Sequence, residues 1–349
     1  MVCRFAGQVL TFILLFEITN SEYRFLYAFI NISLGVMVAP FLFLIIEFAE
    51  ISWTTTLVLL MMPSCALICT FYMLTESPRW LLAVRDTTRA RQIIRWAANA
   101  NGLPPARTLQ GLELLLREVQ RQDEQPVVKI TVLDFFRYPL LRERCASLIL
   151  SWFTSYFAFY GFRLAPDLSE QLWAEYLFVG TAGVVNISAY LSAVRFGRRK
   201  VLFTALVILA WSSTLLAMLY KQGIPGTGSS AAALVAKSAA DVAIGVNYVY
   251  TAELFPTVVR SVGLSSLYAG GRLGAVSGVV ILELTTRADK INLVFLFLAV
   301  ISFVSAVMVQ CLPETTLKIP DMVQEACMTD AERKKVIQKS LELSAPIVY

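Results

Sequence analysis

The chain of 349 residues contains no histidine. That removes the most frequent metal ligand and the usual general base near neutral pH. Charged residues make up only 16%, where a soluble domain carries about a quarter. The formal net charge of +5 bears on membrane topology, and nothing in it points to nucleic acid. Cys3, Cys65, Cys69, Cys145, Cys311 and Cys327 lie in or beside apolar stretches with no paired spacing in a polar loop. They read as free thiols and not as a disulfide framework. No phosphate-binding loop and no pair of catalytic carboxylates is present, which leaves an ATP-driven pump or a membrane enzyme without support. No cofactor is implied. A short apolar run follows Arg4 without a small-residue cleavage site, so no secretory signal is expected.

Apolar residues are plentiful, at 57%. They gather into nine segments: Phe5–Ile18, Phe25–Ile46, Ile51–Leu74, Cys145–Phe162, Tyr176–Val194, Val201–Tyr220, Ala231–Tyr250, Val262–Leu282 and Ile291–Leu312. All but the first are long enough to cross roughly 30 Å of hydrocarbon at 1.5 Å per helical residue. The expected fold is therefore all-α, a polytopic helical bundle in a lipid bilayer. Four regions follow: a partial N-terminal bundle over 1–74, a polar loop over 75–144, a six-helix bundle over 145–320, and a tail over 321–349.

The polar loop predicts two amphipathic helices. One carries Ala90, Ile93, Ile94, Ala97 and Ala98 on a single face and closes at Asn101-Gly102; the other carries Leu109, Leu112, Leu115, Leu116 and Val119. Its many arginines, from Arg79 to Arg144, place it on the cytoplasmic side. From there six crossings alternate correctly, returning inside at Arg195–Lys200, at Glu253–Arg260 and in the tail. The front of the chain does not agree with itself. Only "EFAEIS" joins the second and third apolar segments, and three crossings from a cytoplasmic Arg4 would put the arginine-rich loop outside.

The stretches "TESPRWLLAVRD", "FGRRKVL", "VYTAELFPTVVRSVGLS" and "LPETTLKIPD" carry a family pattern. In that order and spacing they resemble the organic cation, organic anion and carnitine transporters of the major facilitator superfamily. The likeness runs over about residues 5 to 325. It implies an incomplete major facilitator fold, in which the chain starts within the third helix and lacks the first two and the fifth. A missing fifth helix between Glu50 and Ile51 would account for the parity failure. The resemblance also implies a multi-pass protein of the plasma membrane. Its function would be alternating-access transport of small organic ions, with the lipid bilayer and the solute as partners. The competing expectation is a truncated, non-transporting product that keeps the family fold.

Site expectations come from two places. From the resemblance, acids and bases at the inner ends of the two halves would close an inner gate; the matching residues are Glu76, Arg79, Arg198, Arg199, Glu253, Arg260 and Glu314. Within the spans, ionisable side chains are costly and usually functional. Lys237 and Asp241 share one helical face, either paired with each other or exposed to a solute. Arg272 sits in the small-residue run "YAGGRLGAVSG", whose close packing would turn it inward. Tyr156 and Tyr160 share a face flanked by Phe159, which reads either as a packing or lipid-facing stripe or, by resemblance, as a substrate contact. The family's carnitine and organic-anion members carry arginine at the Arg272 position, and its carnitine-like members an aromatic at the Tyr190 position. Asn186, Ser188 and Asp241 depart from the family. Together these favour a carboxylate-bearing or zwitterionic solute, and embedded cations suit a sugar less well. The sequons at Asn31 and Asn186 fall within spans and should stay unmodified.

Overall fold

The structure, a computed structural model, describes residues 2–19, scattered positions from 23 to 46, then 48–70, 75–84, 86–102, 113, 139–162, 172–223, 226–255, 257–288 and 290–315. Ten helices are bounded among them: α1 (Val2–Ile18), α2 (Trp53–Thr70), α3 (Pro78–Ala83), α4 (Thr87–Ala100), α5 (Pro139–Phe162), α6 (Leu172–Phe196), α7 (Arg198–Lys221), α8 (Thr227–Leu254), α9 (Thr257–Arg287) and α10 (Ile291–Gln310). No strand occurs among the described residues. Stretches of α5 and α9 and the whole of α7, α8 and α10 are long and apolar enough to cross a membrane. A bilayer offers backbone groups no water, and a helix satisfies them internally. The fold is thus a polytopic helical bundle.

The chain divides into two compact units, 1–127 with 175–190 and 128–174 with 191–349. In the first, α1 buries Val9, Phe12, Ile13 and Phe16 at helical spacing and packs on α3, which in turn packs on α4. The expected short link before α2 is present. Phe48 is helical, Glu50 adopts a φ of 50°, and α2 starts at Trp53. Pro78, expected to end a membrane helix, also opens the next one. It occupies the first turn of α3, and Ser77 caps that helix by accepting the Trp80 N–H at 3.2 Å. The first amphipathic helix is α4, with Ala90 and Ala98 buried and Asp86 as its N-cap. It closes at Asn101, whose side-chain amide donates to the Ala97 carbonyl at 2.8 Å, followed by Gly102 at φ 65°. The second amphipathic helix lies outside the described residues.

In the second unit α5, α7, α8, α9 and α10 pack on one another. Their outward faces are apolar, as Trp211, Phe303 and Val300 illustrate. The helices overrun the expected apolar segments, α8 starting at Thr227 and α9 reaching Arg287. The apolar run measures hydrocarbon thickness, while helical hydrogen bonding continues into the polar boundary. Glycines set the closest approach. A methyl group added at Gly278 would lie 2.5 Å from the Phe157 carbonyl oxygen, and one at Gly274 would collide with that of Phe153. So α9 lies directly against the backbone of α5, as its small-residue run predicts.

Candidate functional site

That close approach positions Arg272. It projects from α9 toward α5, half-buried, and its two terminal nitrogens go to different phenols. Nη1 donates to the Tyr160 hydroxyl at 3.0 Å, and Nη2 donates to the hydroxyl of Tyr268, one turn earlier on the same helix. The guanidinium carbon also lies over three rings: 4.6 Å from the Tyr268 centroid, 5.0 Å from Tyr156 and 5.8 Å from Tyr160. Such faces attract a cation through the ring quadrupole. The box is stiff. Trp152, Tyr156 and Tyr160 form a stacked ladder along α5, with centroids 5.8 and 6.0 Å apart. Tyr248 of α8 meets Trp152 edge-on at 4.7 Å, and its hydroxyl lies 3.3 Å from that of Tyr156. Phe159 flanks the ladder edge-on to Tyr160. The aromatic stripe of α5 therefore faces a cation inside the bundle.

Lys237 and Asp241 are both buried on α8, at 4% and 5% exposure. Their spacing puts them on the face that carries Tyr248, about 10 Å further along the axis for Asp241. Asp241 stands twelve residues before Glu253 and Arg272 twelve after Arg260. Both are thus about 18 Å from the charged end of the bundle.

That charged end gathers five of the seven gate candidates within the second unit. Arg198 pairs with Glu253 at 3.3 Å, with both side chains nearly buried. Glu314 accepts the backbone N–H of Arg198 at 2.9 Å and so caps α7, whose preceding Gly197 has a φ of 99°. Arg199 donates to the Leu312 carbonyl at 2.9 Å. Arg260, fully buried, is drawn to a different partner and donates to the Ala252 carbonyl at 2.8 Å. In the first unit Glu76 meets Arg89 at 3.8 Å, with both more than half exposed, so the pair contributes little. The side chain of Arg79 lies outside the described residues. Also in that unit, Asn186 is buried and donates to the Ala182 carbonyl at 2.9 Å, and the Tyr190 ring lies 6.1 Å from Phe29.

Several partners were not singled out from the sequence. Tyr268 carries an i, i+4 signal with Arg272, and Tyr248 an i, i+7 signal with Asp241. Trp152 precedes Tyr156 by one turn. Thr315, whose hydroxyl donates to Glu253, has no signal short of three dimensions.

A membrane bundle with a charged end and a buried cation in an aromatic box defines a class, the polytopic solute carriers. The chain matches the "Sugar (and other) transporter" family over residues 13–325 and belongs to it. This is a family of transporters and not of enzymes, and the chain is a multi-pass membrane protein. It is 30% identical to a beta-alanine transporter of Drosophila melanogaster over 73% of its length and 42% of that protein's. Identity is 29% with solute carrier family 22 member 7 of Mus musculus, over 84% and 53% of the two chains. Identity is 26% with organic cation/carnitine transporter 2 of Homo sapiens, over 92% and 57%. The chain thus spans about half the length of these curated relatives. The fold is similar to that of a major facilitator proton:xylose symporter, with a TM-score of 0.72 and 16% identity over 92% of this chain and 71% of that one.

Proposed function

We propose that the chain forms part of an alternating-access transporter of the plasma membrane for small carboxylate-bearing or zwitterionic organic ions, with Arg272 as the carboxylate anchor. The observation that carries this reading is the fork of Arg272, aimed at two hydroxyl oxygens. A guanidinium presents parallel N–H groups that match a carboxylate, and bonds to a charged acceptor are roughly twice as strong as neutral ones. An incoming carboxylate would meet a guanidinium that the two phenol oxygens hold in place. Lys237, buried on the neighbouring helix about one turn further from the charged end, adds a second cation, and Asp241 offers an acceptor for a solute ammonium. Two of the relatives are named for beta-alanine and carnitine, molecules that pair a carboxylate with a cationic nitrogen. The charged end, with Arg198, Arg199, Glu253, Arg260 and Glu314, would act as the second unit's part of a cytoplasmic gate, remade in each cycle.

The test is equilibrium binding of matched solutes, beta-alanine and its neutral amide, to the purified chain, with uptake into vesicles alongside. Arg272→Ala should remove the preference for the carboxylate. The loss of a charge-assisted pair, about 1.5–3 kcal/mol, corresponds to roughly ten- to a hundredfold in affinity. Equal carboxylate binding by wild type and Arg272→Ala would make the arginine structural and defeat the proposal.

A further inference from the structure

Helix α4 is cationic in a way that solute binding leaves unused. Its fourteen residues include Arg89, Arg91 and Arg95 and no acid. At 3.6 residues per turn, Ala90, Ile94 and Ala98 mark the face turned into the protein, and Ala90 and Ala98 are buried. Trp96 projects from the opposite face and remains 62% exposed. Arg89 lies on the same face as Trp96; Arg95 and Arg91, one turn apart, lie on the adjoining side, about 100° and 140° round the helix, and are exposed. Arg89 is answered inside the protein by Asp86 at 3.5 Å and Glu76 at 3.8 Å. Among the described residues no carboxylate answers Arg91 or Arg95.

The neighbouring surface repeats the pattern. Trp80 on α3, against which α4 packs, is 46% exposed. A helix facing only water keeps itself soluble by mixing charges of both signs. This one presents a single sign beside an indole. Indoles favour the membrane–water boundary, and guanidinium groups bind phosphate with their planar fork. An anionic leaflet attracts such a segment over about a Debye length. The chain spans a membrane, so α3 and α4 belong to a protein anchored in a bilayer.

We propose that the exposed side of α4 that carries Trp96, Arg95 and Arg91 docks on anionic phospholipid headgroups and holds the α3–α4 segment against the membrane. This is independent of Arg272 and of what the protein carries. The test uses the full chain in nanodiscs of phosphatidylcholine, alone or with phosphatidylserine. Wild type and Trp96→Phe differ only in the indole at 96, so their difference in emission isolates that ring. In discs containing phosphatidylserine the difference emission should move to shorter wavelength and be quenched by lipids brominated on the acyl chain. In phosphatidylcholine alone it should do neither. Arg91→Gln and Arg95→Gln should each weaken the apparent affinity for phosphatidylserine about fivefold. High ionic strength should weaken it further. Emission that is the same in both discs overturns the proposal, as does a shift reproduced by soluble glycerophosphoserine without a bilayer, or one seen only when cytosolic protein is added.

Discussion

Replacing Gly274 by alanine should loosen the second unit and the Arg272 box together. The added methyl group would enter the Phe153 carbonyl oxygen of α5, an atom fixed in the helix backbone that cannot swing aside. One turn on, the same addition at Gly278 would leave 2.5 Å to the Phe157 carbonyl oxygen. Restoring ordinary contact needs α5 and α9 to part by about 1 Å, and a gap of that size forfeits a quarter to a half of each contact's dispersion energy. Overpacking of this kind costs about 1–3 kcal/mol, and the fixed acceptor argues for the upper end. The same displacement lengthens the 3.0 Å bond from Arg272 to Tyr160, which crosses from α9 to α5. Stability and carboxylate binding should therefore fall in step. Adding Gly278→Ala should cost less than its effect alone, because one helix shift relieves both collisions. Gly180→Ala is the control: nothing lies within 4 Å of its added methyl, so it should be neutral or stabilising by up to about 1 kcal/mol. The assay is thermal and denaturant unfolding in one detergent, followed by tryptophan emission, with solute binding on the same samples. A Gly274→Ala protein that unfolds at the wild-type midpoint and binds normally would refute the close approach.

Arg198→Ala should destabilise by about 3–5 kcal/mol, because it leaves the Glu253 carboxylate nearly buried opposite an empty position; Arg198→Met with Glu253→Met should cost much less, read from unfolding midpoints. Gly197→Ala should cost about 1 kcal/mol or more, since φ is 99° and the new carbon would lie 2.6 Å from a Glu314 carboxylate oxygen; increased hydrogen exchange at Arg198 would report the lost cap of α7. The Asp86 carboxyl is held below the usual carboxylate range, first by the Arg89 N–H and then by the Thr88 hydroxyl. Its cap on α4 is therefore fully in place above the unfolded value of about 3.9 and is lost as pH falls through the lowered folded value. Hydrogen exchange at Arg89 should rise across that window in wild type and be raised at every pH in Asp86→Ala.

The helices were legible because membrane physics leaves few alternatives. An apolar run long enough to span must satisfy its own backbone, so composition alone marks α7, α8, α9 and α10. Gly271, Gly274 and Gly278 announced a close helix contact, since small residues in a membrane helix have little other use. The ends of α8 and α9 were not legible, because hydropathy follows the solvent and not the hydrogen-bond ladder. Pro78 could be read as a break, yet its role in opening α3 depends on the Ser77 side chain reaching the Trp80 N–H. The gate candidates were visible as charges, but not which charge meets which. Glu76 meets Arg89 from thirteen residues further along its own loop segment, and Arg260 donates to a backbone carbonyl.

The answer to Arg272 was the hardest feature to foresee, and it changes what the residue can do. A membrane-embedded guanidinium is expensive, and Asp241 on the preceding helix could answer it, but Lys237 one turn away competes for that acid. A direct buried ion pair would be stable only with good geometry, and a solute carboxylate would have to displace a charged competitor. Tyr160 and Tyr268 accept from the terminal nitrogens through their hydroxyls, while the rings of Tyr156, Tyr160 and Tyr268 stabilise the cation from its faces. Hydroxyls supply geometry without charge, so the fork is held in place while its attraction for an anion is kept. Converting Tyr268 to phenylalanine separates the two effects: the ring face remains and the acceptor goes. If the hydroxyl only positions the guanidinium, carboxylate affinity should fall several-fold, and Tyr268→Gln, which restores an acceptor without the ring, should recover part of it. A Tyr268→Phe protein that binds carboxylates more tightly would instead make the hydroxyl a competitor that the solute displaces. Unchanged affinity in both variants would remove Tyr268 from the site.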